Sequence, residues 1–153
     1  MALKILALDV ATKTGWAVDG ASSTWDFKPR KGESVGMRTV RLKAAVREMI
    51  KLSQINLVVY ERVAGMHKNA IIVEAGMIGA LECFLLEEKI EYACYSAKEI
   101  KKYATGNGNA GKPLMIKAAN EKLGYTGNDD NEADALWLYQ LATYDLITRD
   151  KLK

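Results

Sequence analysis

At 153 residues, 49% hydrophobic and 27% charged, the chain has the length of one domain and a core-forming composition, which argues against intrinsic disorder. Basic residues exceed acidic ones by 22 − 19 = 3, an excess that permits a nucleic-acid partner without requiring one. Cys83 and Cys94 sit in apolar runs without CxxC or Cys/His spacing, so neither a disulfide framework nor a zinc site is indicated and buried thiols are expected. The opening Met-Ala-Leu-Lys-Ile-Leu-Ala-Leu-Asp meets an acid too early for a signal peptide. No apolar segment is expected to approach the ~20 residues of a membrane helix, so a cytoplasmic, reducing location is expected.

Residues Leu3–Val10 form a dense apolar run, too short for a helix and carrying Asp9 near its end, which predicts a buried strand. Ala11–Gly15 has turn chemistry, Trp16–Val18 resumes a strand before Asp19-Gly20, and Ser23–Phe27 alternates as a third strand. Lys28–Gly36 is a basic loop. From Met37 to Leu52 the apolar residues Met37, Val40, Ala44, Ala45, Ile50 and Leu52 recur at helical spacing, with Arg38, Arg41, Lys43 and Arg47 between them. Ile55–Tyr60 is a β-branched run ending at Glu61, a second buried strand that stops at an acid. Ala64–Lys68 reads as a loop and Ala70–Glu88 as a long helix, with Met77, Ile78, Leu81, Phe84 and Leu85 as core. Ile90–Tyr95 is a short strand, and Ser96-Ala97-Lys98-Glu99 is a capping box opening a short helix. A mobile glycine-rich loop is expected over Ala104–Gly111. Pro113 then suits a helix start. The last helix runs from about Asp130 to Thr148, its inner face Ala133, Leu136, Trp137, Leu141 and Leu146. The order predicts one mixed-sheet α/β domain spanning residues 1–153.

The informative residues are acids. Asp9 and Glu61 each end a predicted strand, and two neighbouring strands would bring both carboxylates to one sheet edge. Asp130 and Asp134 are four apart and Asn131 and Asp134 three apart, so either pair shares a helix face. Several carboxylates in one place repel one another unless a cation neutralises them, and an all-oxygen set suits Mg2+ or Mn2+. Two such ions, ~3.5–4 Å apart, can activate water and stabilise the leaving oxygen of a phosphodiester. Against this stands the plainer role of a strand-end acid as a turn residue, or of Asp129 and Asp130 as complements to a helix dipole. Asp134 is the exception, lying between Ala133 and Ala135 on a face leading into Trp137 and Leu138, where an unpaired charge is costly.

Four segments resemble, in order, those of RuvC-type Holliday junction resolvases of the RNase H-like superfamily. Leu6-Ala7-Leu8-Asp9-Val10-Ala11-Thr12-Lys13-Thr14-Gly15-Trp16-Ala17-Val18 resembles the first motif and Val58-Val59-Tyr60-Glu61-Arg62-Val63 the second. Gly106–Lys112 resembles the glycine-rich stretch ending in lysine, and Asp130–Leu136 the closing Asp-x-x-Asp-Ala-Leu. The resemblance implies an RNase H-like fold, a five-stranded mixed sheet flanked by helices. It also implies a homodimeric, Mg2+-dependent endonuclease with two ions per site, acting on four-way DNA junctions and other branches such as forks and flaps. The size and the altered motifs resemble phage members. Asp9, Glu61 and Asp134 would be catalytic acids and metal ligands. The acid expected three before the last falls on Asn131, with Asp130 one residue earlier, so Asp130 is the expected fourth catalytic acid and ligand, with Asn131 as a possible partner. Lys112, and Lys122 with Lys117 as competitor, match lysines that steady the scissile phosphate, while Lys13, Lys68 and Lys102 are further candidates for DNA contacts. Where the family carries an aromatic wedge beyond the strand-end Glu, this chain has Met66 as an apolar candidate.

Gly106-x-x-x-x-Gly111-Lys112 imitates a nucleotide-binding loop, yet Pro113 stands where the hydroxyl residue belongs. Lys28, Arg30, Lys31, Arg38, Arg41 and Lys43, and again Lys98, Lys101, Lys102, Lys112, Lys117 and Lys122, are basic clusters that would grip phosphates if they flank the acids. Gly76 and Gly79 allow close helix approach, and resolvases of this type pair through that region. A non-catalytic branched-DNA binder and an RNase H-like nuclease on another substrate remain alternatives. An actin-like ATPase is disfavoured, since this length leaves no room for its second lobe.

Overall fold

The computed structural model describes residues 2–64 and 68–151. Its strands are β1 (Ile5–Asp9), β2 (Lys13–Val18), β3 (Ala21–Asp26), β4 (Leu57–Glu61) and β5 (Glu91–Tyr95). Its helices are α1 (Met37–Ser53), α2 (Lys68–Glu87), α3 (Ala97–Thr105), α4 (Lys112–Lys122) and α5 (Asp130–Lys151). The strands form a single sheet in the order β3-β2-β1-β4-β5. β1, β2 and β3 pair antiparallel as a meander, whereas β1–β4 and β4–β5 are parallel, as their intervening helices require.

β1 and β4 read as continuous apolar runs because both their faces are covered. Leu6, Leu8, Val10, Val58 and Tyr60 point into one layer with Leu42 and Val46 of α1 and Leu81 and Leu85 of α2. Ile5, Ala7, Leu57 and Val59 point the other way, against α3, α4 and α5. By the same alternation, Asp9 and Glu61, two residues beyond Ala7 and Val59, turn to the α5 side. α5 lies across β1 and β2 and reaches β4.

Several expectations need correction. The inner face of α1 is Leu42 and Val46, while Val40 and Leu52 are 55% and 75% exposed. On α5 the fully buried set is Ala133, Ala135, Trp137, Leu138 and Ala142, with Leu136, Leu141 and Leu146 only partly covered. Cys83 is exposed and Cys94 half-buried, because Cys83 lies on the outer side of α2. That helix begins at Lys68, the last residue of the loop expected over Ala64–Lys68, of which residues 65–67 lie outside the described residues, and is long and apolar enough by length and composition to cross a membrane. α3 runs on to Thr105, two residues into the loop expected over Ala104–Gly111. Gly106 caps α3 in the left-handed conformation that glycine adopts freely, its N–H bonded to Lys102 O. The Asn107 side chain accepts from the Asn109 N–H at 2.9 Å. The capping box at Ser96 and Glu99 forms as expected.

Candidate active site

β1 and β4 end side by side, with Leu8 registered opposite Tyr60, so Asp9 and Glu61 emerge together at one sheet edge. On its other flank Asp9 is registered with Gly15 of β2. Gly15 is where α5 docks: a Cβ built there would lie 1.9 Å from the Asn131 carbonyl oxygen. Only a residue without a side chain lets the helix start approach the strand so closely. The α5 start is also anchored by Asp129, whose carboxylate accepts the N–H groups of Asn131 at 2.8 Å and Glu132 at 3.2 Å. Asp129 further pairs with Lys13 of β2 at 3.2 Å. Hairpin and helix are thereby locked together, and Asp134, one turn in, faces the strand tips.

The electrostatics report this convergence. Burial raises the Asp9 carboxyl well above its ordinary value, and the negative charges of Asp134, Glu61, Glu74 and Asp130 raise it further. Burial raises Glu61, the Lys101 ammonium opposes this, and Glu74 adds to it. Burial, then Glu61 and Asp130, push Asp134 up to about 7 against the pull of Lys101 and Lys112. Asp9 is densely surrounded yet keeps partial solvent access. Among the described residues Asp9, Glu61 and Asp134 join no ion pair, and no three His, Cys, Asp or Glu side chains are placed closely enough to hold a metal ion. Like charges without a basic partner repel one another. The donors are all oxygens, so the residues fit Mg2+ or Mn2+ rather than a soft metal.

The remaining predicted residues divide by position. Asp130 is engaged by Lys112 at 3.1 Å, and the Lys112 side chain is 77% exposed. Asn131 lies on the other side, in a depression with Thr12, Lys13 and Glu74. Lys117 pairs with Glu121 on its own helix. Lys122 donates to the Ala104 carbonyl at 2.9 Å, tying α4 to α3. Lys102 lines a separate hollow with Lys98 and Asn107, and exposed Lys68 opens α2. Met66 lies outside the described residues. Of the N-terminal basic cluster, Arg38 comes to 3.5 Å of the Thr12 hydroxyl beside the acids.

Two residues at the centre escape sequence reasoning. Lys101 was one of a basic run, but it is the α3 lysine whose charge reaches both Glu61 and Asp134. Helical phasing contains the signal, since Ile100 and Ala104 are the buried positions of α3 and Lys101 flanks them. Glu74 was one acid in an apolar helix, with no local signal to distinguish it.

Comparison with known proteins gives a consistent result. The family model described as crossover junction endodeoxyribonuclease RuvC matches residues 23–138. A RuvC of Brachyspira hyodysenteriae is 40% identical over 58 residues, a stretch covering 38% of this chain and 36% of that relative. The Thermus thermophilus RuvC in complex with a Holliday junction substrate superposes with a TM-score of 0.74 at 21% identity, covering 96% of this chain and 97% of that one. The yeast mitochondrial Holliday junction resolvase Ydc2 has a TM-score of 0.61 at 11% identity, over 97% of this chain and 84% of its own. The fowlpox virus resolvase bound to Holliday junction DNA gives 0.59 at 11%, over 93% of this chain and 99% of its own. At such identities the superpositions establish the RNase H-like fold. The family model, matched across more than half of the sequence from β3 into α5, establishes more: the chain belongs to the RuvC family of crossover junction endodeoxyribonucleases.

Proposed function

We propose that the protein is a divalent-metal-dependent, structure-selective endonuclease that cuts four-way DNA junctions, and forks and flaps of related geometry, leaving 5′-phosphate and 3′-hydroxyl ends. One observation carries the reading. Asp9, Glu61 and Asp134, from three separate elements, gather at one sheet edge with no basic partner in ion-pair reach among the described residues. The solved relatives that hold Holliday junctions support a four-way junction as the substrate.

Asp9, Glu61 and Asp134 would hold Mg2+, with Mn2+ as substitute and two ions per site, and Asn131 or Asp130 would add a further oxygen. When bound, such ions supply an activated water and charge neutralisation at the leaving oxygen. The protein's own groups do the positioning. Lys112, resting on Asp130, can exchange that carboxylate for a non-bridging oxygen of the scissile phosphate. Lys101 favours the ionised forms of Glu61 and Asp134, the forms that ligate. Lys13 and Arg38, beside the β1–β2 turn, are suited to a neighbouring phosphate.

A four-way junction offers two symmetry-related strands, so a two-fold homodimer is the matching assembly. The outer stripe of α2 supports it. Ile72 and Leu86 are 61% and 64% exposed, and nothing lies within 4 Å of a Cβ built on Gly76 or Gly79 between them. A second copy could pack its own α2 closely there.

The decisive measurement is cleavage of a synthetic four-way junction with Mg2+. Asp9→Asn is expected to abolish cutting while leaving junction binding measurable, and full activity in that variant would remove the assignment. Asn131, an amide where the family has an acid, favours a second reading as a non-cleaving junction binder. Binding without cleavage by the unaltered protein at every Mg2+ and Mn2+ concentration would establish it.

A further inference from the structure

A further carboxylate, one that strand-end reasoning does not supply, lies beside the β1–β2 turn and the start of α5. Asp9 and Glu61 turn toward α5 by strand alternation, and Asp134 meets them from α5. Glu74 comes from the opposite layer, on α2, and is half-buried at the strand-tip edge. There it lines one depression with Thr12, Lys13, Asn69 and Asn131. Its charge acts on both Asp9 and Glu61, and burial raises its own carboxyl.

The other glutamates of α2 have donors nearby. Glu82 accepts from the Tyr60 hydroxyl at 2.8 Å, and Glu87 from the Cys83 thiol at 3.3 Å. Glu74 joins no ion pair among the described residues. Asp130 is already matched by Lys112. The carboxylates lacking a basic partner at this edge are therefore Asp9, Glu61, Asp134 and Glu74, each from a different element. Asn131, which shares the depression with Glu74, carries an oxygen but no charge.

We propose that Glu74 is the fourth carboxylate of the cation-binding centre, reaching over the strand tips from α2 to supply the negative charge that Asn131 lacks. This rests on the metal-dependent reading of the site. The centre then has the charge of four carboxylates, with Asn131 as a neutral oxygen donor, and the charge has moved from the helix start of α5 to the facing helix.

Mn2+ binding to the full-length protein, measured by calorimetry and by electron paramagnetic resonance without DNA, tests the proposal. The unaltered protein is expected to bind two Mn2+ per chain. Glu74→Gln should lose one of them or weaken it at least ~10-fold, a typical loss when a supporting residue of a metal site is removed. Glu74→Asp should retain part of the affinity. Asn131→Asp introduced into Glu74→Gln should restore the lost ion, because the charge returns to the same depression. The metal-free melting temperature of Glu74→Gln should equal or exceed that of the unaltered protein, since a repelling charge has gone, which separates lost binding from lost folding. Wild-type stoichiometry and affinity in Glu74→Gln would overturn the proposal. If Asp9→Asn still loses metal in that case, the site reading stands and Glu74 alone is wrong. If Asp9→Asn also binds as the unaltered protein does, both fall.

Discussion

Asp134 makes the condition of the centre measurable. Its carboxyl is raised from 3.8 to about 7 by burial, then by Glu61 and Asp130, so at intermediate pH the folded state keeps a proton that the unfolded chain releases. The stability linked to that proton is complete below about pH 4 and is lost as pH rises toward 7. Asp9 and Glu61 are shifted in the same direction. Asp129 has the opposite sign: burial raises it, but the backbone N–H groups and Lys13 outweigh burial and hold it below 3.8, so its contribution is lost only in stronger acid. Metal-free protein should therefore melt at progressively lower temperature between pH 4 and pH 7, and Mn2+ should flatten that slope. Asp134→Asn should raise the metal-free melting temperature at pH 7. A flat profile without metal, or no gain from Asp134→Asn, would show that the carboxylates do not repel as argued. Asp9, Glu61 and Asp134 were legible in the sequence because each is an acid at the end or on the inner face of an apolar element. Glu74, proposed to join them, was not, because α2 and the strand tips come together only on folding.

Among the elements, the docking of α5 on the β1–β2 hairpin decides whether a site exists. Gly15 is the contact point, and its neighbour there is Asn131 backbone rather than a flexible side chain. Gly15→Ala should destabilise the protein by at least ~1–3 kcal/mol, the range for overpacking, and displace the start of α5. Cleavage should then fall more than the remaining folded fraction accounts for, read as kcat per folded molecule against urea stability. A fully active, wild-type-stable Gly15→Ala would mean that α5 is not held by this contact. Strands β1 and β4 were plain from their apolar runs. The phase of α1 was not: its apolar residues point in several directions, and Val40 and Leu52 end up exposed. Spacing alone could not choose Leu42 and Val46.

At the scale of the whole molecule, α2 carries the proposed dimer contact. Its core residues were legible, including Met77, Ile78, Leu81, Phe84 and Leu85. Its outer stripe was ambiguous, because an apolar helix exposed on one side reads like one that is buried all round. Gly79→Arg adds a long charged side chain where a Cβ meets nothing within the protomer. It should therefore leave the protomer no less stable, since arginine is the better helix former by up to ~1 kcal/mol, while converting the proposed dimer to a monomer by light scattering. An unaltered mass would move the proposed interface elsewhere. Junction affinity should also fall steeply with salt, as expected when Lys13, Arg38 and Lys112 displace counterions from phosphates.

The sequence by itself determined the alternation of strands and helices, the two strand-end acids and the acid on the inner face of the last helix, because periodicity and local charge are properties of neighbours in the chain. Tertiary structure alone decided which lysines face the acids, which carboxylates find a basic partner, and that Glu74 of the opposite layer shares a depression with Asn131 of α5. Those outcomes depend on distances between residues far apart in sequence, and like charges can be compared only once the packed sheet has brought them together.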